Sequence, residues 1–431
     1  MQFSVFNNHI KVSDSVNAIY NSFTGHLIFL GHEVDTTDIS TLNENSVNNL
    51  KKGGMIVDDG IDENIMAWQH HLDSIDRHES FLLIINPTLN CNFNCWYCYE
   101  SHQKDSTMGA DTLTGLKNII RKLLNEYPGI TVSFFGGEPM LGYKQVVEPL
   151  MQYSEKTAKE LNRQIDFAFT TNGYILTDNM LAELSKHKIA HLQISLDGAK
   201  ADHDKTRVPK GGKSYDRITE NIRKYATAGM KVLLRLNLTG ETIANAFEIP
   251  ERFATLPNEA KKYIQVSIQQ VWQDRDNKTD IHQQKLNLYK RFYECGIQPD
   301  LPNHYTLTSP CYGDCKNSLV VNYNGDIYNC TAVDFPNEPR DGFLSTDGNV
   351  TMETDSLNRV IAKRKSNTAC QNCRILPICG GGCFKSTWHS IDKEMTCNYP
   401  DDESKDKLVR EVVEEKIFFS QLLNTAEQPQ A

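Results

Sequence analysis

With 431 residues the chain has room for two to three domains, and its 39% hydrophobic and 23% charged residues are those of an ordinary globular protein. Lys and Arg total 45 against 55 Asp and Glu, a net charge of −10. That balance argues against a nucleic-acid partner, because phosphate binding asks for a basic face. No run approaches the roughly 20 apolar residues of a membrane span, and the opening MQFSVFNNHIKVSDS lacks a basic segment followed by an apolar one. A cytoplasmic protein with no membrane partner is therefore expected.

Residues 1 to about 75 contain no cysteine. Strand-like patches (FSVF, HIKV, AIYNSF, HLIFL) come first, broken by Asn, Ser and Gly turns. Two helical stretches follow, at 41–52 and 62–75, with GGMIVDDG between them. From residue 81 the pattern changes to alternating strands and helices. Apolar, β-rich runs fall at 81–87, 130–135, 166–170, 190–196, 231–238 and 264–271, and helical stretches lie between them at 110–126, 144–162, 177–187 and 216–228. Six strands with interposed helices imply parallel βαβ units, since parallel strands need crossover connections. Active sites in such folds gather at the C-terminal strand ends.

Just after the first of these strands stands CNFNCWYC, with Cys91, Cys95 and Cys98 at Cys-x3-Cys-x2-Cys spacing. Three thiolates in eight residues can hold three irons of a [4Fe–4S] cube and leave the fourth iron open for chemistry. A zinc site or a disulfide staple is the alternative, although zinc usually takes paired Cys-x2-Cys knuckles with four ligands. Further on, the second strand runs into Gly136-Gly137-Glu138-Pro139, the third ends in TTNG (170–173), and the fourth in SLDG (195–198), with Arg207 beyond it. Glycines there let backbone approach a ligand. The triad after an apolar strand, followed by GGEP, resembles the radical S-adenosylmethionine (radical SAM) family. The resemblance implies a partial (β/α)6 barrel, a [4Fe–4S] cluster on Cys91, Cys95 and Cys98, and SAM on its open iron. It further implies SAM contacts from Tyr97, Gly136, Gly137, Glu138, Ser195 and Arg207. Reductive cleavage of SAM would then give a 5′-deoxyadenosyl radical, with a flavodoxin or ferredoxin as reducing partner. Asp197 is expected to order its loop, and Phe93 and Trp96 to pack around the cluster. The strands-then-helices order of residues 1–75 resembles the small winged-helix-type peptide-recognition domain that precedes many peptide-modifying radical enzymes. An exposed strand edge there could take a peptide by β-addition.

Cys295 is isolated in a helical stretch and reads as a small buried apolar residue rather than a catalytic thiol. The last eight cysteines read Cys311-x3-Cys315-x9-Gly325-x4-Cys330, then Cys370-x2-Cys373-x5-Cys379-x3-Cys383, then Cys397. This spacing resembles the SPASM domain, and eight cysteines suffice for two closed four-cysteine clusters. The resemblance implies one cluster on Cys311, Cys315, Cys330 and Cys383, and a second on Cys370, Cys373, Cys379 and Cys397. Paired structural zinc is the alternative. VVNYNGDIYNC reads as a hairpin turning at Asn324-Gly325, CGGGC (379–383) as a flexible wrap for a cluster edge, and the stretch from about 402 as a helix. The terminal NTAEQPQA reads as disordered.

The expected organisation is α/β: a peptide-recognition-like α+β domain (1–78), a radical SAM partial barrel (79–300), a SPASM domain (301–401), and a C-terminal helix and tail (402–431). The expected function is modification of a ribosomally made precursor peptide, recognised through its leader, by hydrogen abstraction. Three [4Fe–4S] clusters and SAM are the expected cofactors, and a crosslink, with thioether favoured, is the expected product. A near rival is a formylglycine-generating anaerobic sulfatase maturase. There the residue after the cysteine of the Gly-x4-Cys element is an Asp base, but here it is Thr331, with Asp334 three residues on. A rival of another class is an electron-transfer or zinc-scaffold protein. No catalytic side chain is assigned.

Overall fold

In the computed structural model, residues 1–13, 16–30, 38–209, 212–274, 280–301, 310–395 and 397–424 are described. They fall into two compact units. The first comprises residues 1–77, 303–316 and 356–431, and the second 78–302 and 317–355.

In the first unit, β1 (Gln2–Phe3) pairs antiparallel with β5 (Ile56–Val57), while β2 (Asn7–Ser13), β3 (Val16–Asn21) and β4 (Leu27–Leu30) form an antiparallel sheet in that order. Helices Glu44–Lys52 and Glu63–Ile75 start where Asn43 and Asp62 accept the backbone N–H groups of Ser46 and Ile65, satisfying donors that a helix start leaves open. Strands precede helices, as the sequence suggests, but this segment is not a separate body. Phe6, Ala67 and Trp68 share an apolar cluster with Cys370, Cys373 and Leu376. Tyr20 shares another with Ile375, Ile378, Val409, Val412 and Val413. Residues 1–77 and the last 76 thus bury one core between them. The second unit begins at His78. Helix Asp402–Asn424 forms as expected; the tail beyond it, expected to be disordered, lies outside the described residues.

The second unit is built on one sheet of eleven strands among the described residues. The strands are β6 (Phe81–Ile85), β7 (Gly129–Phe134), β8 (Gln164–Thr171), β9 (Ile189–Leu196), β10 (Val232–Leu238), β11 (Ile264–Gln270) and the short β12 (Gln298–Pro299), all parallel, followed by β13 (Ser318–Val321), β14 (Asp326–Tyr328), β15 (Gly342–Leu344) and β16 (Val350–Met352). The order runs β12 to β6 and then β13 to β16, so the sheet stays open. All six barrel strands read from the sequence are present. β13 joins β6 in parallel and carries the hairpin, which places 317–355 with the barrel rather than with the rest of the expected 301–401 domain. The hairpin turns as expected: Gly325 sits at φ +87°, and its N–H donates to Asn322 O at 2.9 Å.

Burial alternates along these strands. Val132, Phe134, Leu192, Ile194, Leu234, Leu236, Val266 and Ile268 are buried, whereas Ser133, Gln193, Ser195, Arg235, Asn237, Ser267 and Gln269 are half-buried. A closed barrel fills its interior with branched apolar side chains. Here the inner face is a polar row, suited to a polar ligand rather than to a packed core.

Candidate active site

The site is built at the C-terminal ends of β6 to β10. Two loops knit there through backbone. Gly137 N–H donates to Thr88 O at 3.2 Å and Glu138 N–H to Asn90 O at 2.9 Å. A Cβ on Gly137 would stand 2.4 Å from Asn90 O, and one on Gly136, at φ +95°, 2.6 Å from Thr88 O. Glycine is needed here first for the close approach of two loops, a cause internal to the protein that the spacing alone did not reveal. Glu138 is fully buried. Its carboxylate accepts Thr171 Oγ1 at 2.7 Å, Asn172 N–H at 2.7 Å and Met140 N–H at 3.0 Å. Asn172 in turn donates from Nδ2 to Asn92 Oδ1 at 2.7 Å. Glu138 therefore fastens the GGEP loop to the end of β8, and β8 to the cysteine loop; its carboxylate is already committed.

A second lock holds the triad from the other side. Tyr97 donates its hydroxyl to Asp197 at 2.7 and 2.9 Å and accepts Arg207 Nη1 at 2.9 Å and Asn237 Nδ2 at 3.3 Å. Arg207 also faces Asp197 at 3.7 Å, both nearly buried, and stacks over Phe93 at 5.6 Å. Burial alone would pull the Arg207 guanidinium down, but Tyr97 and Asp197 hold it above its usual range, so it stays charged. His203 sits one helical turn before Arg207, so both lie on one face. It is fully buried, accepts Asp197 N–H at Nδ1, 3.2 Å, and is kept neutral by that burial and by Arg207, its pKa driven down to about 2. His203 and Arg207 stand four residues apart in the sequence, a spacing that puts both on one helical face; Asn237 and the Tyr97 hydroxyl carry no such local signal. Phe93 is buried and packs edge-on to Tyr174 at 5.5 Å, and Trp96 is 59% exposed. Ser195 lies half-buried on the polar face, in register with Arg235 on β10. Arg235 donates from Nε to Asn237 Oδ1 at 2.9 Å, and no carboxylate among the described residues pairs with it.

Five of the cysteines share a turn. Cys91 Sγ accepts Phe93 N–H at 3.4 Å, Cys330 accepts Ala332 N–H at 3.3 Å, and Cys397 accepts Tyr399 N–H at 3.4 Å. Cys98 is likewise bonded by the Glu100 backbone, and Cys379 by those of Gly381 and Gly382. In each case one donor is the residue two positions after the cysteine, and Gly382, three positions on, is a second donor to Cys379. Such N–H groups stabilise charge on sulfur and tune iron–sulfur clusters. Gly380, Gly381 and Gly382 all adopt positive φ, at +68°, +74° and +108°, which only glycine takes readily. Burial first, then neighbouring Cys379, Cys373 and Cys397, push the Cys370 thiol up to about 12, so these four sulfurs lie within electrostatic reach of one another. Cys311, Cys315 and Cys383 belong to the first unit and Cys330 to the second. Burial raises Cys91 to about 12 and Cys95 to about 11. A bound metal displaces such protons, because the ligand form of cysteine is the thiolate. Among the described residues no three Cys, His, Asp or Glu side chains converge closely enough to hold one ion. Cys295, capping helix His282–Glu294, is half-buried and raised by burial.

Asp334 folds back to the triad. It accepts Ser101 N–H at 2.8 Å and Ser101 Oγ at 2.9 Å, three residues past Cys98, and Asn337 Nδ2 at 2.7 Å. Its charge, added to burial, pushes neighbouring Glu100 up to about 8.

The radical SAM superfamily matches residues 85–252. The radical SAM cyclopropyl synthase TigE of Paramaledivibacter caminithermalis is 24% identical over 217 residues, 46% of this chain and 42% of that protein. The chain thus spans less than half the length of that relative. The cysteine-type anaerobic sulfatase-maturating enzyme of Clostridium perfringens (strain 13 / Type A) is 22% identical over 347 residues, covering 74% of this chain and 92% of the enzyme. Among solved structures, native anSMEcpe with bound AdoMet and Kp18Cys peptide superposes with a TM-score of 0.59 at 21% identity, covering 80% of this chain and 99% of the other. Streptococcus suis SuiB bound to precursor peptide SuiA gives 0.54 at 17%, covering 93% and 99%. These structural likenesses show the fold. Among the described residues no helix is long and apolar enough to cross a membrane.

Proposed function

We propose that this chain, a radical SAM enzyme by its residues 85–252, modifies a ribosomally made precursor peptide and joins two of its atoms in a crosslink, a thioether for preference. The observation that carries this is the recurrent N–H···Sγ turn, present in the open triad and again among the eight later cysteines. It supports one cluster with a free iron and two closed ones. SAM on the first cluster supplies, when bound, a 5′-deoxyadenosyl radical that takes hydrogen from the substrate. Cys91, Cys95 and Cys98 would hold that cluster. Glu138 and the Tyr97–Asp197–Arg207 lock fix the triad loop against β8, β9 and β10, so that the iron site keeps one position during reaction. The inner face, with Ser195, Asn237, Ser267 and Arg235, suits a polar stretch of peptide. SuiB and the sulfatase maturase, whose structures carry peptides, support a peptide substrate. The reductant would be a flavodoxin or ferredoxin.

Leader recognition is assigned to β4. Among the described residues β4 pairs only with β3, and its Phe29 is 55% exposed. An open edge with an apolar side chain is the form a β-adding peptide uses. Deleting residues 1–75 would strip the first unit of its core, so a point change is the cleaner test. Phe29→Asp is expected to weaken a fluorescein-labelled precursor peptide roughly tenfold, read by anisotropy, while the melting temperature stays put, as for most exposed substitutions. Unchanged affinity would remove β4 from recognition.

One observation favours the sulfatase-maturase reading. Asp334 stands beside the triad loop, where a base could work. Against it, both carboxylate oxygens are tied to Ser101 and Asn337, and a general base needs access to the proton it takes. With a sulfatase-derived peptide bearing its Cys or Ser target, under argon with SAM and dithionite, no formylglycine above background is expected by mass spectrometry. Turnover to formylglycine would overturn the crosslinking assignment.

A further inference from the structure

We propose that Arg235 binds a carboxylate of the substrate peptide, an Asp or Glu side chain or the C-terminal carboxylate, and so selects the stretch of peptide that lies along the inner face of the sheet. This rests on the reading that the substrate is a peptide.

Arg235 stands in the middle of β10, half-buried on the polar face. Its register partners are Ser195 on β9 and Ser267 on β11. Residues in register on neighbouring strands project to one face, with about 5 Å between strands, so the guanidinium is flanked by two hydroxyls. Ser267 Oγ accepts Gln269 Nε2 at 3.2 Å, which leaves its own hydrogen to donate. Arg235 is aimed by the bond from its Nε to Asn237 Oδ1 at 2.9 Å, and Asn237 is itself tied through Nδ2 to Tyr97 at 3.3 Å. Both Nη groups are left without an acceptor among the described residues. They form the end of the fork that matches the two oxygens of a carboxylate.

The two arginines of the site differ in charge balance. Arg207 faces Asp197 at 3.7 Å and is held above its usual range. Arg235 has no such partner. Burial pulls it below its usual range, and Tyr99, Tyr97 and Asp197 offset this only in part. Asp197 is already engaged by Tyr97 and Arg207. A half-buried cation with unused donors is costly until an anion joins it. Within the described residues the guanidinium makes a single hydrogen bond, so its charge answers to a ligand rather than to the fold. Arg235 also lies two residues before Asn237, about 7 Å farther from the strand ends that carry the triad and GGEP loops. A carboxylate that reaches it belongs to a molecule lying along the inner face, the place the peptide takes. SAM carries a carboxylate too, which makes it the rival source.

The test is a binding cycle read by fluorescence anisotropy. It uses the full chain, reconstituted anaerobically with iron and sulfide, with SAM present and no reductant. The probes are the N-terminally fluorescein-labelled precursor peptide, versions in which each Asp or Glu becomes Asn or Gln in turn, and a version ending in an amide. One neutralised peptide is expected to bind the parent chain roughly tenfold to a hundredfold more weakly, and its identity tells side chain from C-terminus. Arg235→Gln should weaken the acidic peptide by a similar factor and bind that neutralised peptide no more weakly still, the non-additivity of two groups in contact. Arg235→Lys keeps the charge and loses the fork, so it should fall between. If every neutralised peptide binds the parent chain as the acidic one does, the proposal is overturned without any change to the enzyme. Losses that add for every peptide also overturn it, and a fall in SAM affinity of Arg235→Gln beside such additive losses assigns the carboxylate to SAM. A parent chain that does not bind the acidic precursor peptide at all overturns the peptide reading, and this inference with it.

Discussion

Replacing Cys91, Cys95 and Cys98 together by Ala is expected to abolish SAM cleavage and to lower bound iron from about twelve to about eight per chain. The expectation follows from how the triad is held. Cys91 and Cys98 each receive a backbone N–H from two residues on, and burial keeps free thiols at Cys91 and Cys95 protonated up to about 12 and 11. A bound metal centre favours their thiolate form, and without three thiolates there is no seat for the open iron. The measurement is 5′-deoxyadenosine formed under dithionite, beside an iron assay on the same sample. Cleavage at the parent rate, or an unchanged iron count, would place the SAM-cleaving centre elsewhere. The later cysteines supply the contrast: Cys370→Ser should disturb auxiliary signals while leaving the triad loop and its two locks in place.

The triad and the six barrel strands were legible in the sequence because each is local. Period-two burial along β7, β9, β10 and β11 is written in consecutive residues, and three thiols in eight residues need no tertiary contact to be noticed. The union of the N-terminal segment with the cysteine-rich part was not legible. Phe6 and Trp68 meet Cys370 and Leu376 across some three hundred residues of chain, and no local pattern announces such a partner. The same limit hid the duties of Glu138 and Tyr97. Glu138 gives its carboxylate to Thr171, Asn172 and Met140, and Tyr97 gives its hydroxyl to Asp197, Arg207 and Asn237. Such partners come from distant loops, so no local pattern names them.

Arg207→Ala is expected to destabilise the second unit by about 3–5 kcal/mol, because it strands a buried carboxylate. Asp197 faces Arg207 at 3.7 Å, with side chains 3% and 9% exposed. With the guanidinium gone, Asp197 keeps Tyr97 as donor but loses its counter-charge. Tyr97 in turn loses the Nη1 bond at 2.9 Å, and the triad loop loosens between Cys95 and Cys98. The melting temperature of the iron-free chain should fall by on the order of 10 °C, and SAM should bind the reconstituted variant more weakly. Two companions separate charge from packing. Arg207→Lys keeps the charge and loses the fork, so it should fall between parent and Arg207→Ala. Pairing Asp197→Ala with Arg207→Ala removes both charges, so its cost should be less than the sum of the single changes, the mark of two groups that act together. A strictly additive double variant, or an Arg207→Ala protein that melts with the parent, would show that Tyr97 and Asn237 hold the loop without the ion pair.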